Sequence, residues 1–64
     1  MPIYRFCRID DRNREIESFV VEAIDDDGAI AEAIRLDHAH FIDIWLGTRM
    51  ISRVCPRNRG SHSN

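Results

Sequence analysis

Lysine is absent from this chain of 64 residues, so each of its nine basic residues is an arginine. Only two cysteines occur, and they do not form the C-x-x-C pair that is typical of zinc or redox sites. No apolar run approaches the ~20 residues that a membrane-spanning helix requires. The polar start Met-Pro-Ile-Tyr-Arg does not resemble a secretory signal. We therefore expect a cytoplasmic protein without membrane contact.

The two cysteines, Cys7 and Cys55, lie far apart in the sequence. In a reducing compartment we expect buried or half-buried thiols. A disulfide would require the first and last strands to be neighbours, which the sequence leaves open.

Charge is distributed unevenly along the chain. Residues 1–48 contain five arginines and eleven acidic residues, whereas residues 49–64 contain four arginines and no acid. A slightly acidic chain without lysine is a poor general binder of nucleic acid. The basic end nevertheless suggests an alternative function, which is nucleic-acid binding through the arginine-rich C-terminal hairpin and tail.

The length allows one domain with one core. A chain of this size buries only about 60% of its unfolded surface, so its fold is marginally stable alone. We therefore expect additional stabilisation from a partner or from a second copy.

The first third of the chain predicts a β-hairpin. Ile3 to Ile9 alternates, with Tyr4 and Phe6 on one side and residues 3, 7 and 9 on the other. The polar cluster 10–13 predicts a turn, with an asparagine that tolerates left-handed backbone geometry. An extended pattern then resumes over residues 14–23.

A helix is predicted from the run of aspartates at residues 25–27 to about His38, because Asp is a favoured N-cap and acidic residues suit the helix N-terminus. Its predicted apolar stripe packs on the sheet. The stripe consists of Ala29, Ile30, Ala33, Ile34 and Leu36.

Residues 41–54 predict a second hairpin around Gly47. A three-residue loop over residues 45–47 places Ile42 across from Met50 and Asp43 across from Arg49. One face is then apolar, and the other carries Asp43, Trp45, Arg49, Ile51 and Arg53. A two-residue loop at residues 47–48 mixes charge into both faces, so we favour the first register.

The predicted fold class is α+β. We expect residues 1–55 to form a single ββαββ domain, a mainly antiparallel sheet with one helix packed on one face, and residues 56–64 to form a disordered C-terminal tail. One short helix cannot cover both faces of such a sheet. The other face must therefore contact water or another molecule.

The uncovered face supplies the interaction candidates. They are Trp45, Arg49, Ile51 and Arg53, with Tyr4 and Phe6 added if the first strand faces the same way. Aromatic residues and arginine are enriched at protein interfaces. We predict a non-enzymatic protein-interaction or self-assembling domain, a homodimer or bound to a protein partner, that uses this outer face or an edge strand.

No catalytic, cofactor-binding or metal-binding residues are predicted, and no small-molecule substrate is evident. His38 and His40 lie beside Asp37, but no third ligand follows at a recognisable spacing. The three consecutive aspartates do not match a calcium loop, whose ligands alternate. Cys7 on an apolar strand has no feature that would lower its pKa.

Three pieces of the sequence resemble a family of small bacterial proteins known only as a domain of unknown function. They are residues 1–6, residues 25–33 from the aspartates into Ala-Ile-Ala-Glu-Ala, and residues 42–49, Ile-Asp-Ile-Trp-Leu-Gly-Thr-Arg. The family brings no activity with it, so the resemblance supports the fold rather than a function.

Overall fold

The structure, a computed structural model, describes residues 1–36 and 39–56. Within them, four strands and one helix follow one another in the predicted ββαββ order. These elements are β1 (Ile3–Ile9), β2 (Glu15–Glu22), α1 (Asp26–Arg35), β3 (Phe41–Leu46) and β4 (Arg49–Val54). The predicted α+β class is therefore confirmed. Of the predicted tail, residues 57–64 lie outside the described residues.

The strands form one antiparallel sheet in the order β2-β1-β3-β4. Because β1 lies between β2 and β3, helix α1 carries the chain across β1 from one side to the other. The strand β3 also separates β1 from β4, and Cys7 and Cys55 are both free thiols. The sheet ends at two edges, β2 and β4.

The β1–β2 turn shows why a polar cluster stands at residues 10–13. The Asp10 carboxylate accepts hydrogen bonds from the amides of Arg14, at 2.8 Å, and Arg12, at 2.9 Å. These bonds lower the pKa of Asp10. Asn13 has the predicted left-handed backbone, with a φ of 65°.

Helix α1 begins as predicted and ends earlier. The Asp25 carboxylate accepts a hydrogen bond from the Gly28 amide at 2.8 Å, which caps the helix N-terminus. The helix ends at Arg35 instead of about His38, because Leu36 has extended backbone angles. His38 itself lies outside the described residues.

The core lies between α1 and one face of the sheet. Its largest fully buried side chains are Tyr4, Phe6, Ile42 and Ile44. Ala29 and Ala33 are completely buried and pack on this cluster, as the helical pattern predicts. The prediction for Ile34 is wrong, since that side chain is 51% exposed.

The predicted register of the second hairpin is wrong. Gly47 has the expected positive φ of 65°, but the loop consists of residues 47 and 48, and Leu46 pairs with Arg49. Ile51 is then an extra residue in β4, because Ile44 pairs with Ser52 while Trp45 pairs with Met50. The two-residue loop reverses the predicted faces of residues 49–51, and the β-bulge returns residues 52–54 to the faces that were predicted.

Candidate interaction surface

The sheet face that α1 does not cover is the outer face. Tyr4 and Phe6 point into the core beneath the helix, so the alternate β1 residues point the other way. Paired residues on neighbouring strands share a face. The outer face therefore carries Ile3, Arg5, Cys7, Ile9, Glu15, Ser18, Val20, Glu22, Phe41, Asp43, Trp45, Met50 and Arg53.

One row of this face crosses all four strands and is mainly apolar. From the β2 edge to the β4 edge, each strand contributes one residue that pairs with the next, in the order Val20, Arg5, Trp45 and Met50. Val20 is 68% exposed and Met50 41% exposed. Ile3, which pairs with Glu22 beside this row, is 55% exposed. The outer face thus leaves several large apolar side chains in contact with water.

The neighbouring row is polar and closed by an ion pair. Arg53 donates from Nε to Asp43 Oδ1 at 2.6 Å and from Nη2 to Asp43 Oδ2 at 3.0 Å. The same Nη2 donates to Asn13 Oδ1 at 3.1 Å, and the guanidinium lies 5.5 Å from the ring centre of Phe41. The hydrogen bonds from Arg53 to the carboxylate raise the pKa of Arg53. Within this row, the charges of Asp43 and Arg53 are therefore paired with each other.

Cys7 lies in the same polar row, between Ser18 and Asp43. Burial, and to a smaller extent the nearby carboxylates of Glu15 and Asp43, raise the pKa of its thiol. The thiolate form that acts as a nucleophile is therefore disfavoured at neutral pH.

A second cluster of charges lies on the helix side of the sheet. The buried Tyr4 hydroxyl donates to Asp26 Oδ1 at 2.8 Å, and Arg49 Nη2 lies 3.7 Å from Asp26 Oδ2. Burial, followed by the bond to Asp26, raises the pKa of Tyr4 to about 12. This cluster joins β1, α1 and β4.

The structure divides the four predicted interaction residues between two sides. Trp45 and Arg53 lie on the outer face, whereas Arg49 pairs with Asp26 on the helix side and Ile51 packs against the core. The cause is the two-residue loop at residues 47–48, which reverses the faces of the residues that directly follow it. Tyr4 and Phe6, the conditional candidates, are buried beneath the helix.

Sequence reasoning missed the outer-face residues of the first hairpin. They are Ile3, Arg5, Val20 and Glu22. A signal was present, because residues 3 and 5 alternate with Tyr4 and Phe6. Both sides of β1 are partly apolar, however, and the sequence does not say which side the helix covers.

Concave regions of the surface are shallow. Depressions of about 260, 490 and 350 Å³ lie beside the β1–β2 turn, beside the helix N-terminus, and between Met1 and Glu32. The first contains His40 with Asp10 and Asp11, and Cys7 lines none of the three. Within residues 1–36 and 39–56, no cluster of three or more potential metal ligands occurs. Asp37 and His38 lie outside the described residues.

No protein-family model matches this chain, and comparison with curated proteins and with solved structures finds no match. The resemblance to small bacterial proteins of unknown function stays a prediction. In the part of the chain that the structure describes, no helix has the length and apolar character needed to cross a membrane.

Proposed function

We propose that this chain is a non-enzymatic protein-interaction domain that assembles with itself through the outer face or a sheet edge. The observation that carries the proposal is the exposed apolar row on the uncovered face of the sheet. An apolar surface of this kind is stabilised when a partner removes it from water. A small fold has further reason to gain burial in this way.

The geometry of the titratable groups supports a binding role over a catalytic one. The buried Cys7 thiol has a raised pKa. Asp43 and Arg53 neutralise each other, and so do Asp26 and Arg49. These pairs hold the strands and the helix together. The outer face would therefore bind a partner mainly through its apolar side chains. We further propose that the domain works in the cytoplasm.

Nucleic-acid binding through the arginine-rich end is the alternative. Both described arginines of that end, Arg49 and Arg53, are engaged with carboxylates. A phosphate would have to displace those partners, which favours the interaction domain. The other two arginines of that end, Arg57 and Arg59, lie outside the described residues.

The molar mass in solution, measured by light scattering over a wide concentration range with reductant present, tests self-assembly. We expect a dimer or larger species for the wild type. Val20→Glu should shift the chain to monomer, because a carboxylate on the outer face would have to be desolvated. Ile24→Glu is the matched control, since Ile24 is 76% exposed but lies between β2 and α1.

A strict monomer at every concentration would overturn self-assembly. Equal effects of the two glutamates would instead place the contact away from the outer face. The salt dependence of binding distinguishes the two functions. Nucleic-acid binding through several phosphates weakens steeply as the salt concentration rises, whereas apolar contact between protein chains tolerates salt.

A further inference from the structure

Two opposite charges on the outer face have no partner in the described part of the chain. Arg5 and Glu22 are both exposed, and neither forms an ion pair or a side-chain hydrogen bond there. The other outer-face arginine, Arg53, is by contrast bonded to both oxygens of the Asp43 carboxylate. Arg5 and Glu22 are therefore two opposite charges beside the apolar row that remain available to a second molecule.

These two charges sit at opposite corners of a rectangle of four residues. Ile3 pairs with Glu22, and Arg5 pairs with Val20. One diagonal of the rectangle thus joins the two charges, and the other joins the exposed apolar residues Ile3 and Val20. A two-fold axis laid along the apolar diagonal brings each end of the charged diagonal to within about 3 Å of the opposite end in projection, a distance that long side chains can span.

We propose that a second copy of this chain docks face to face about such an axis, with each Arg5 against the partner's Glu22. Each Ile3 and Val20 then meets its own counterpart between the two ion pairs. The contact is isologous and closed, as in most homodimers. This inference rests on the proposed function and specifies its partner and its geometry.

The spacing of a β-sheet determines how the two sheets cross. With about 4.8 Å between strands and about 6.8 Å between alternate residues, the apolar diagonal lies about 35° from the strand direction. Rotation about it makes the strands of the two copies cross at about 70°. This angle is close to the orthogonal class of sheet packing.

Charge argues against the sheet edges as the dimer contact. Strand β2 carries three glutamates and no basic residue, and β4 carries two arginines and no acid. Pairing β2 with itself brings its glutamates together, whereas the arginines of β4 are already engaged by Asp26 and Asp43, so charge opposes self-pairing more strongly at β2 than at β4. Pairing β2 with the partner's β4 would be complementary but would leave free edges, so the assembly would continue to grow.

The experiment is a charge exchange measured by sedimentation or light scattering on the whole chain, with circular dichroism as the control for folding. Arg5→Glu and Glu22→Arg should each weaken the dimer by about tenfold, because both ion pairs become repulsive contacts. An equimolar mixture of the two variants should dimerise like the wild type, and so should the double variant R5E/E22R. High salt should narrow these differences by screening.

The outcomes separate the inference from the proposed function. If the wild type dimerises but neither the mixture nor the double variant recovers, the reciprocal pairing is wrong and self-assembly stands. A molar mass that rises beyond that of a dimer would overturn the face-to-face contact and indicate that β2 of one copy pairs with β4 of the next. A wild type that stays monomeric would overturn the inference and self-assembly together.

Discussion

Arg53 and Asp43 form a two-pronged ion pair across β3 and β4, with bonds of 2.6 and 3.0 Å. The same guanidinium reaches Asn13 in the β1–β2 turn at 3.1 Å and stacks over Phe41. One side chain from an edge strand therefore joins both hairpins. Because Asp43 is only 7% exposed, water cannot replace these bonds on the carboxylate.

Replacing Arg53 should lower the free energy of unfolding more than replacing Asp43. Arg53→Met leaves the buried Asp43 carboxylate without its donors, a penalty of about 1–3 kcal/mol for such a group. Asp43→Leu frees an arginine that can reach water, so its effect should be smaller. The double variant should recover part of the loss. Urea unfolding of all three checks this order, and equal losses in both single variants would contradict it.

The Tyr4 hydroxyl should lose its proton at a higher pH than an ordinary tyrosine. Its pKa is raised to about 12 by burial and by Asp26, from an ordinary value near 10. The folded state therefore holds its proton more tightly, so its stabilising effect is complete below pH ~10 and is lost as the pH rises towards 12. Tyr4 is the only tyrosine, so tyrosinate absorbance during an alkaline titration reports it directly. A midpoint that matches the denatured chain would contradict the buried hydrogen bond.

The two thiols should differ in reactivity. Cys55 is exposed, whereas Cys7 is buried in the sheet and has a raised pKa. An alkylating reagent at neutral pH should modify Cys55 rapidly and Cys7 only in denaturant. Mass spectrometry of the wild type and of Cys55→Ser measures both rates. Fast labelling of Cys7 in the folded chain would show that the outer face opens readily.

The N-cap should contribute measurably to stability. Asp25→Ala removes the acceptor of the Gly28 amide and should lower the free energy of unfolding by about 0.5–2 kcal/mol. Asp27→Ala is the matched control, because Asp27 lies in the first helical turn and should lose only its interaction with the helix dipole. The two variants should therefore separate in chemical denaturation, and an equal loss would remove the capping role.

Trp45 should matter more for assembly than for folding. It lies between Arg5 and Met50 on the outer face and outside the core cluster. Trp45→Ala should therefore weaken self-association while leaving the thermal midpoint nearly unchanged, and Trp45→Phe should restore part of the contact. If stability collapses and association per folded molecule is unchanged, Trp45 is a structural residue.

Local patterns predicted the elements well. Alternation identified β1, the aspartate run identified the start of α1, and Asn13 and Gly47 have the expected positive φ. Each of these signals acts within a few residues, where backbone sterics and one or two hydrogen bonds decide the conformation. The candidate surface was predicted only in part, because the loop is two residues long instead of three and places Arg49 and Ile51 on the helix side.

The amino-acid sequence by itself determined the order of the elements, the position of the first turn and the fact that one helix leaves a sheet face uncovered. Tertiary structure decided the strand order, the side of β1 that the helix covers, and the extra residue in β4. The bulge allows Leu46 to pair with Arg49 and Asp43 to pair with Arg53 in the same hairpin. Its gain comes from contacts between residues ten or more positions apart, which no local pattern reports.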